Sequence, residues 1–178
     1  MTDTTTGTTH PTPDRGSYVE HERGPAVRFE RHYPFPVERV WRAVTDPAEL
    51  RAWFPSPEVT FEARVGGTIT LAGDPYQAEA MTGRVLAWDP PHVFGFEWGG
   101  DQLFLTVTAD GEGSRLELLD VLDEKTRAAL HASGWTMCLA GLDRALTGAS
   151  DAAPEFRPLL EEYRAAGFPD DGWVPDGV

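Results

Sequence analysis

Hydrophobic residues recur at two periods along the chain, and the changes of period divide it into elements. In "AVRFERHY" (26–33), Val27, Phe29, Arg31 and Tyr33 fall on one side and Arg28, Glu30 and His32 on the other. That is the period of a strand, although its faces are not sorted cleanly by polarity. In "PFPVERVWRAV" the spacing becomes three and four: Val37, Val40, Trp41 and Val44 share a helical face, and Pro36 suits a first turn. "TDPAELRAWF" then restarts a helix, with Asp46 fit for the N-cap, Pro47 for N1 and Glu49 at the capping-box position. Two short helices broken at Asp46 are therefore predicted.

From 57 to 122 the period of two returns in short runs separated by Gly and Pro. "PEVTFEA", "TITLAG", "MTGRVLAW", "HVFGFEW", "QLFLTVTA" and "RLELLDVL" are each bounded by turn residues such as Gly66-Gly67, Asp74-Pro75 and Asp89-Pro90-Pro91. Strands joined this tightly pair antiparallel. With the first strand they predict a sheet of about seven. "LHASGWTMCLAGLDRAL" (130–146) restores the helical period through Trp135, Cys138, Leu139, Leu142 and Leu146. The sheet needs a cover, and the helix expected over 124–148 is the only element long enough to supply it. A break at "TGASDAAP" precedes a further short helix in "PEFRPLLEEYRAAGFP". The expected organisation is a disordered tail over 1–24, a domain over 25–148 and an extension with a short helix over 149–178.

The fold class this predicts is α+β: a curved antiparallel sheet wrapped around a long C-terminal helix, with two short helices after the first strand, the helix-grip arrangement. "FPVERVWRAVTDPAELRAWF", "GGTITL", "GRVLAWDPPHVFGFEW", "SRLELLDV" and "GWTMCLAGLDRAL" occur in an order that resembles the START/Bet v1-like superfamily. The resemblance is nearest to its branch named for the C-terminal domain of the Hsp90 ATPase activator, and it spans about residues 26 to 148. It implies a cavity between sheet and long helix for a small hydrophobic or aromatic ligand. Within that reading the expected ligand-binding residues come from three places. Trp53 and Phe54 end the second helix. Phe94, Phe96, Trp98, Leu105 and Leu118 point inward from the strands. Trp135, Cys138, Leu139 and Leu142 line the long helix. A packed core would use the same alternation, so cavity wall and solid core both remain open.

Composition narrows the function. The 178 residues carry 29 acids against 15 bases, a formal charge of −14. Nucleic-acid binding needs phosphate neutralisation by Lys and Arg, so it is disfavoured. No apolar run has the ~20 residues of a membrane span. The N-terminus lacks the apolar core of a secretory signal, so a cytoplasmic location is expected. A protein partner remains open. Cys138, the single cysteine, excludes an intramolecular disulfide and reads as a small buried hydrophobe.

Candidate chemistry is sparse. Asp120 continues the inward face of 116 and 118, where a carboxylate is costly unless paired. His131, four residues before Trp135, falls on the inner helical face near it, so the two form the one candidate acid–base pair. Solvation of Asp120 at a strand end and a merely structural His131 are the plainer alternatives. His10, His21, His32 and His92 lack metal-ligand spacing, and neither metal nor cofactor is expected. The readings that remain are a binding module, a polyketide cyclase-like enzyme and a chaperone-related interaction module.

Overall fold

Tight turns oblige consecutive strands to pair antiparallel, and all the strands follow that rule. The computed structural model describes residues 7–9 and 14–174. It opens with β1 (Gly7–Thr9), β2 (Ser17–His21) and β3 (Gly24–Tyr33), followed by α1 (Val37–Thr45) and α2 (Pro47–Leu50). Six strands follow: β4 (Glu58–Phe61), β5 (Thr68–Ala72), β6 (Met81–Asp89), β7 (Val93–Trp98), β8 (Asp101–Asp110) and β9 (Gly113–Val121). A 3-10 turn (Lys125–Arg127) leads into α3 (Ala128–Thr147), and α4 (Phe156–Ala165) is the last element among the described residues. Among the described residues the sheet has nine strands, in the order β1-β2-β3-β9-β8-β7-β6-β5-β4.

The count exceeds the expected seven because strands form inside the segment expected to be a disordered tail. Ser17–His21 pairs with Arg28–Gly24 as a tight hairpin, and Gly7–Thr9 pairs with β2. Sequence polarity concealed this because β2 buries only Tyr18 and Val19. The remainder of that predicted tail, residues 1–6 and 10–13, lies outside the described residues.

Asp46 caps α2 as its side chain predicts, accepting from the Ala48 N–H. Glu49 does not close a capping box. Its carboxylate lies 2.7 Å from both Arg39 and Arg42 of α1, clamping the two helices together.

Register fixes which residues face α3. Phe29, Leu118, Leu105 and Phe94 are directly opposed across β3, β9, β8 and β7, one apolar row under the helix. The next row runs Val27, Asp120, Leu103, Phe96, so Asp120 stands where apolar residues stand on its neighbours. Glycine lets α3 settle closely: a Cβ on Gly141 would lie 3.4 Å from that of Trp53. On the convex side a smaller cluster gathers Val19, Ala26, Phe104, Leu119 and Val121. Gly95 allows it, since a Cβ there would come within 2.5 Å of the Phe104 ring.

The other side of α3 is covered by α4. Tyr163 is fully buried; its hydroxyl bonds Thr136 of α3 at 2.7 Å and accepts from the Gly16 N–H at 2.9 Å. The C-terminal segment is thereby tied both to the long helix and to the residue preceding β2. Among the described residues, no helix is long and apolar enough to cross a membrane.

Candidate functional site

The site begins with the Asp120 carboxylate, fully buried on β9. His131 and Trp135, one helical turn apart on α3, both reach it. The Trp135 Nε1–H donates to Oδ2 at 2.8 Å, and His131 Nδ1 lies 2.8 Å from the same oxygen. Oδ1 is buried with no hydrogen-bond partner among the described residues. Asp101, at the start of β8, brings a second carboxylate to 3.4 Å from His131 Nδ1, while its other oxygen accepts from the Asp123 N–H. Two carboxylates facing one ring nitrogen hold the proton on Nδ1.

The electrostatics follow from this packing. Burial lowers the pKa of His131, but the hydrogen bond and charge of Asp120, joined by the charge of Asp101, outweigh it and hold the imidazole above its ordinary value. Burial, then the charge of Asp120, raises Asp101 above its ordinary value. The three groups therefore suit proton exchange at His131. They also offer three ligand atoms within 4.8 Å of one another, the donor set a divalent cation would use.

His131 also opens onto a pocket of about 350 Å³ beside α3. Leu130, Gly134, Met137 and Cys138 form its helical wall, with Trp98 and Trp135 beside them. Pro55, Asp74, Pro75 and Tyr76 come from loops, and Phe156 and Trp173 from the C-terminal segment. Its surface is mostly carbon, which is the character of small-molecule sites. Burial, followed by the charge of Asp74, pushes the Cys138 thiol up to about 12, so this pocket-lining sulfur is held as a thiol.

The sequence-predicted residues divide between pocket and core. Trp98, Trp135 and Cys138 line the pocket, and His131 and Asp120 meet beside it. Trp53, Phe54, Phe94, Phe96, Leu105, Leu118, Leu139 and Leu142 do not line it; they pack into the core. The family resemblance implies a cavity entrance at Trp53. Instead Trp53 is buried, and its Nε1–H donates to the Ala43 carbonyl at 3.0 Å. Phe54 closes the gap between core and pocket, its ring centroid 6.1 Å from Phe96 and 5.8 Å from Trp135. The Leu139 and Leu142 face of α3 is thus a core face, and the pocket lies against the neighbouring face. Sequence reasoning missed Asp101, Gly134, Met137, Phe156 and Trp173. Gly134 carries a legible signal, a glycine in mid-helix; the rest depend on which segments fold over α3.

Comparison with known proteins agrees with this architecture. A family profile described as "Activator of Hsp90 ATPase homolog 1-like protein" matches residues 34–147. CalU16 from Micromonospora echinospora is 26% identical over 84% of this chain and 90% of its own, with a TM-score of 0.65. A conserved protein of unknown function from Enterococcus faecalis, EF2215, has a TM-score of 0.70 at 16% identity, over 84% of this chain and 88% of that one, a likeness of fold alone. DynU16, of the dynemicin biosynthetic locus, is 26% identical with a TM-score of 0.59; the alignment spans 69% of this chain and 48% of DynU16. No curated protein matches. With the profile covering most of the chain and the helix-grip fold around it, the protein belongs to the activator of Hsp90 ATPase homolog 1-like family.

Proposed function

We propose that this protein binds a small apolar or aromatic molecule in the pocket between α3, the β7 end and the C-terminal segment. The observation that carries this reading is the largely carbon-lined pocket of about 350 Å³ with tryptophans at its base and rim. Trp98 and Trp135 pack with their rings tilted by 56° and centroids 5.0 Å apart, presenting rigid aromatic surface at little entropic cost. Trp173 at the rim is 49% exposed, a large apolar side chain not yet fully buried. The setting of DynU16 in a biosynthetic locus is in keeping with a small-molecule partner.

The test is titration with N-phenyl-1-naphthylamine, a neutral dye that brightens in apolar surroundings. Saturable one-to-one binding is expected, weakened severalfold by Phe156→Ala with Trp173→Ala. Unsaturable binding, or affinity indifferent to both truncations, refutes the proposal.

A second reading has its own observation, the Asp120–His131 pair opening onto the same pocket. A buried imidazole held by a carboxylate can give and take a proton at a bound molecule, as a cyclase-like catalyst requires. The expected result is accelerated deuterium exchange at the α-carbon of 1-tetralone in heavy water, lost in His131→Gln. Exchange at the uncatalysed rate removes this reading and leaves the binding module standing.

A further inference from the structure

The indole donors near α3 are unevenly paired. Trp53 and Trp135 both place their indole N–H on an acceptor, the Ala43 carbonyl and Asp120 respectively. Trp98 does not: its Nε1 is buried and has no partner among the described residues, although its ring lines the pocket. A buried donor left unpaired costs about 1–3 kcal/mol, which a bound acceptor would recover. His131 stands against the same ring, centroids 6.2 Å apart. Its Nδ1 is committed to the two carboxylates, and the side chain keeps 16% of its surface exposed at the pocket. Lying between Asp101 and Asp120, the ring is stabilised as imidazolium, in which Nε2 is also a donor.

The charges set a second condition. Asp101 and Asp120 together exceed the single charge of His131, and Asp74 adds a further carboxylate at the pocket wall. Arg127, whose guanidinium lies 5.5 Å from the Trp173 ring and acts on His131, adds one positive charge, so the site offers donors in a field that remains negative by the excess carboxylate. Such a field repels an anion and leaves a neutral acceptor unopposed.

We infer that the pocket selects a neutral, mostly aromatic molecule carrying a carbonyl oxygen, which accepts hydrogen bonds from Trp98 Nε1–H and His131 Nε2–H. The inference rests on the binding reading above and narrows it to a ligand class. The Trp98 nitrogen is covered by neighbouring atoms, so engaging it takes a turn of the indole.

Three probes of one shape test it: 9-fluorenone, fluorene and fluorene-9-carboxylate, compared by equilibrium dialysis against the full chain at pH 7. Fluorenone should bind about tenfold more tightly than fluorene, the worth of one or two recovered hydrogen bonds. The carboxylate should bind weakest. In Trp98→Phe, which loses the donor and part of the ring surface, the affinities of fluorenone and fluorene should both fall, fluorenone several-fold further, so that its advantage shrinks. Equal binding of fluorenone and fluorene overturns the inference and leaves the binding reading intact. Tightest binding by the carboxylate overturns it in favour of an anion site. Failure of all three to bind overturns both.

Discussion

Gly134 offers the sharpest test of whether the α3 pocket is functional. It lies inside a twenty-residue helix, where glycine costs about 1 kcal/mol relative to alanine. Nothing in the packing of the described residues demands it: a Cβ added there meets none of their atoms within 4 Å, and the residue lines the pocket. Gly134→Ala should therefore raise stability by about 1 kcal/mol, or roughly 2–4 °C in Tm for a chain of this size. Gly134→Leu should keep most of that gain, since leucine is nearly as good a helix former. Its side chain would extend into a pocket of about 350 Å³ and occupy ligand space. Thermal melts by circular dichroism and naphthylamine titration on the same samples give both quantities. The expected pattern is opposed: Tm rises in both variants, and affinity falls more than tenfold in Gly134→Leu. A destabilised Gly134→Ala would refute the open-space argument, and full affinity in Gly134→Leu would refute the pocket as the binding site.

Asp120→Asn removes the charge that holds His131 and should cost about 3–5 kcal/mol in urea unfolding, because the partner cation stays buried; a loss under 1 kcal/mol would mean that His131 is uncharged. His131 has a folded pKa above its ordinary value, so the stability it contributes is complete below about pH 6.5 and lost as pH rises through the folded value. Asp101, also raised, loses its contribution in the same direction at lower pH, from its ordinary carboxylate value upward. NMR titration of the His131 ring should give a midpoint above 6.5, and one below it would contradict the carboxylate pairing. Cys138, with its thiol pushed up to about 12, should alkylate with iodoacetamide at pH 8 about three orders of magnitude more slowly than a free thiol. Mass spectrometry reads this directly, and rapid labelling would show that Asp74 and burial do not suppress the thiolate.

Much of the architecture was legible because its causes are local. The period of two, the period near three and a half and the turn residues between them each act within a few residues. They sufficed for β3 through β9, for the break at Asp46 and for the long helix. Asp120 and His131 were legible as a pair for the same reason: a carboxylate on an inward strand register, and a histidine one helical turn from Trp135. β2 was not legible, since a five-residue strand with two buried side chains has no pattern to distinguish it from a polar tail.

The pocket belonged to tertiary structure. α3 buries residues on more than one face, with Leu139 and Leu142 against the sheet and Thr136 against α4, so its apolar pattern alone does not say which stripe meets the core. Rotation of the helix on the sheet turned the Leu139 and Leu142 part of the expected ligand wall into solid packing and brought Leu130 and Gly134 to the pocket beside Trp135 and Cys138. Phe156 and Trp173 reach that pocket because the chain folds back after α3, a contact between residues distant in sequence. Periodicity determines that a helix has apolar faces; the complementary surfaces of segments far apart along the chain decide what each face touches.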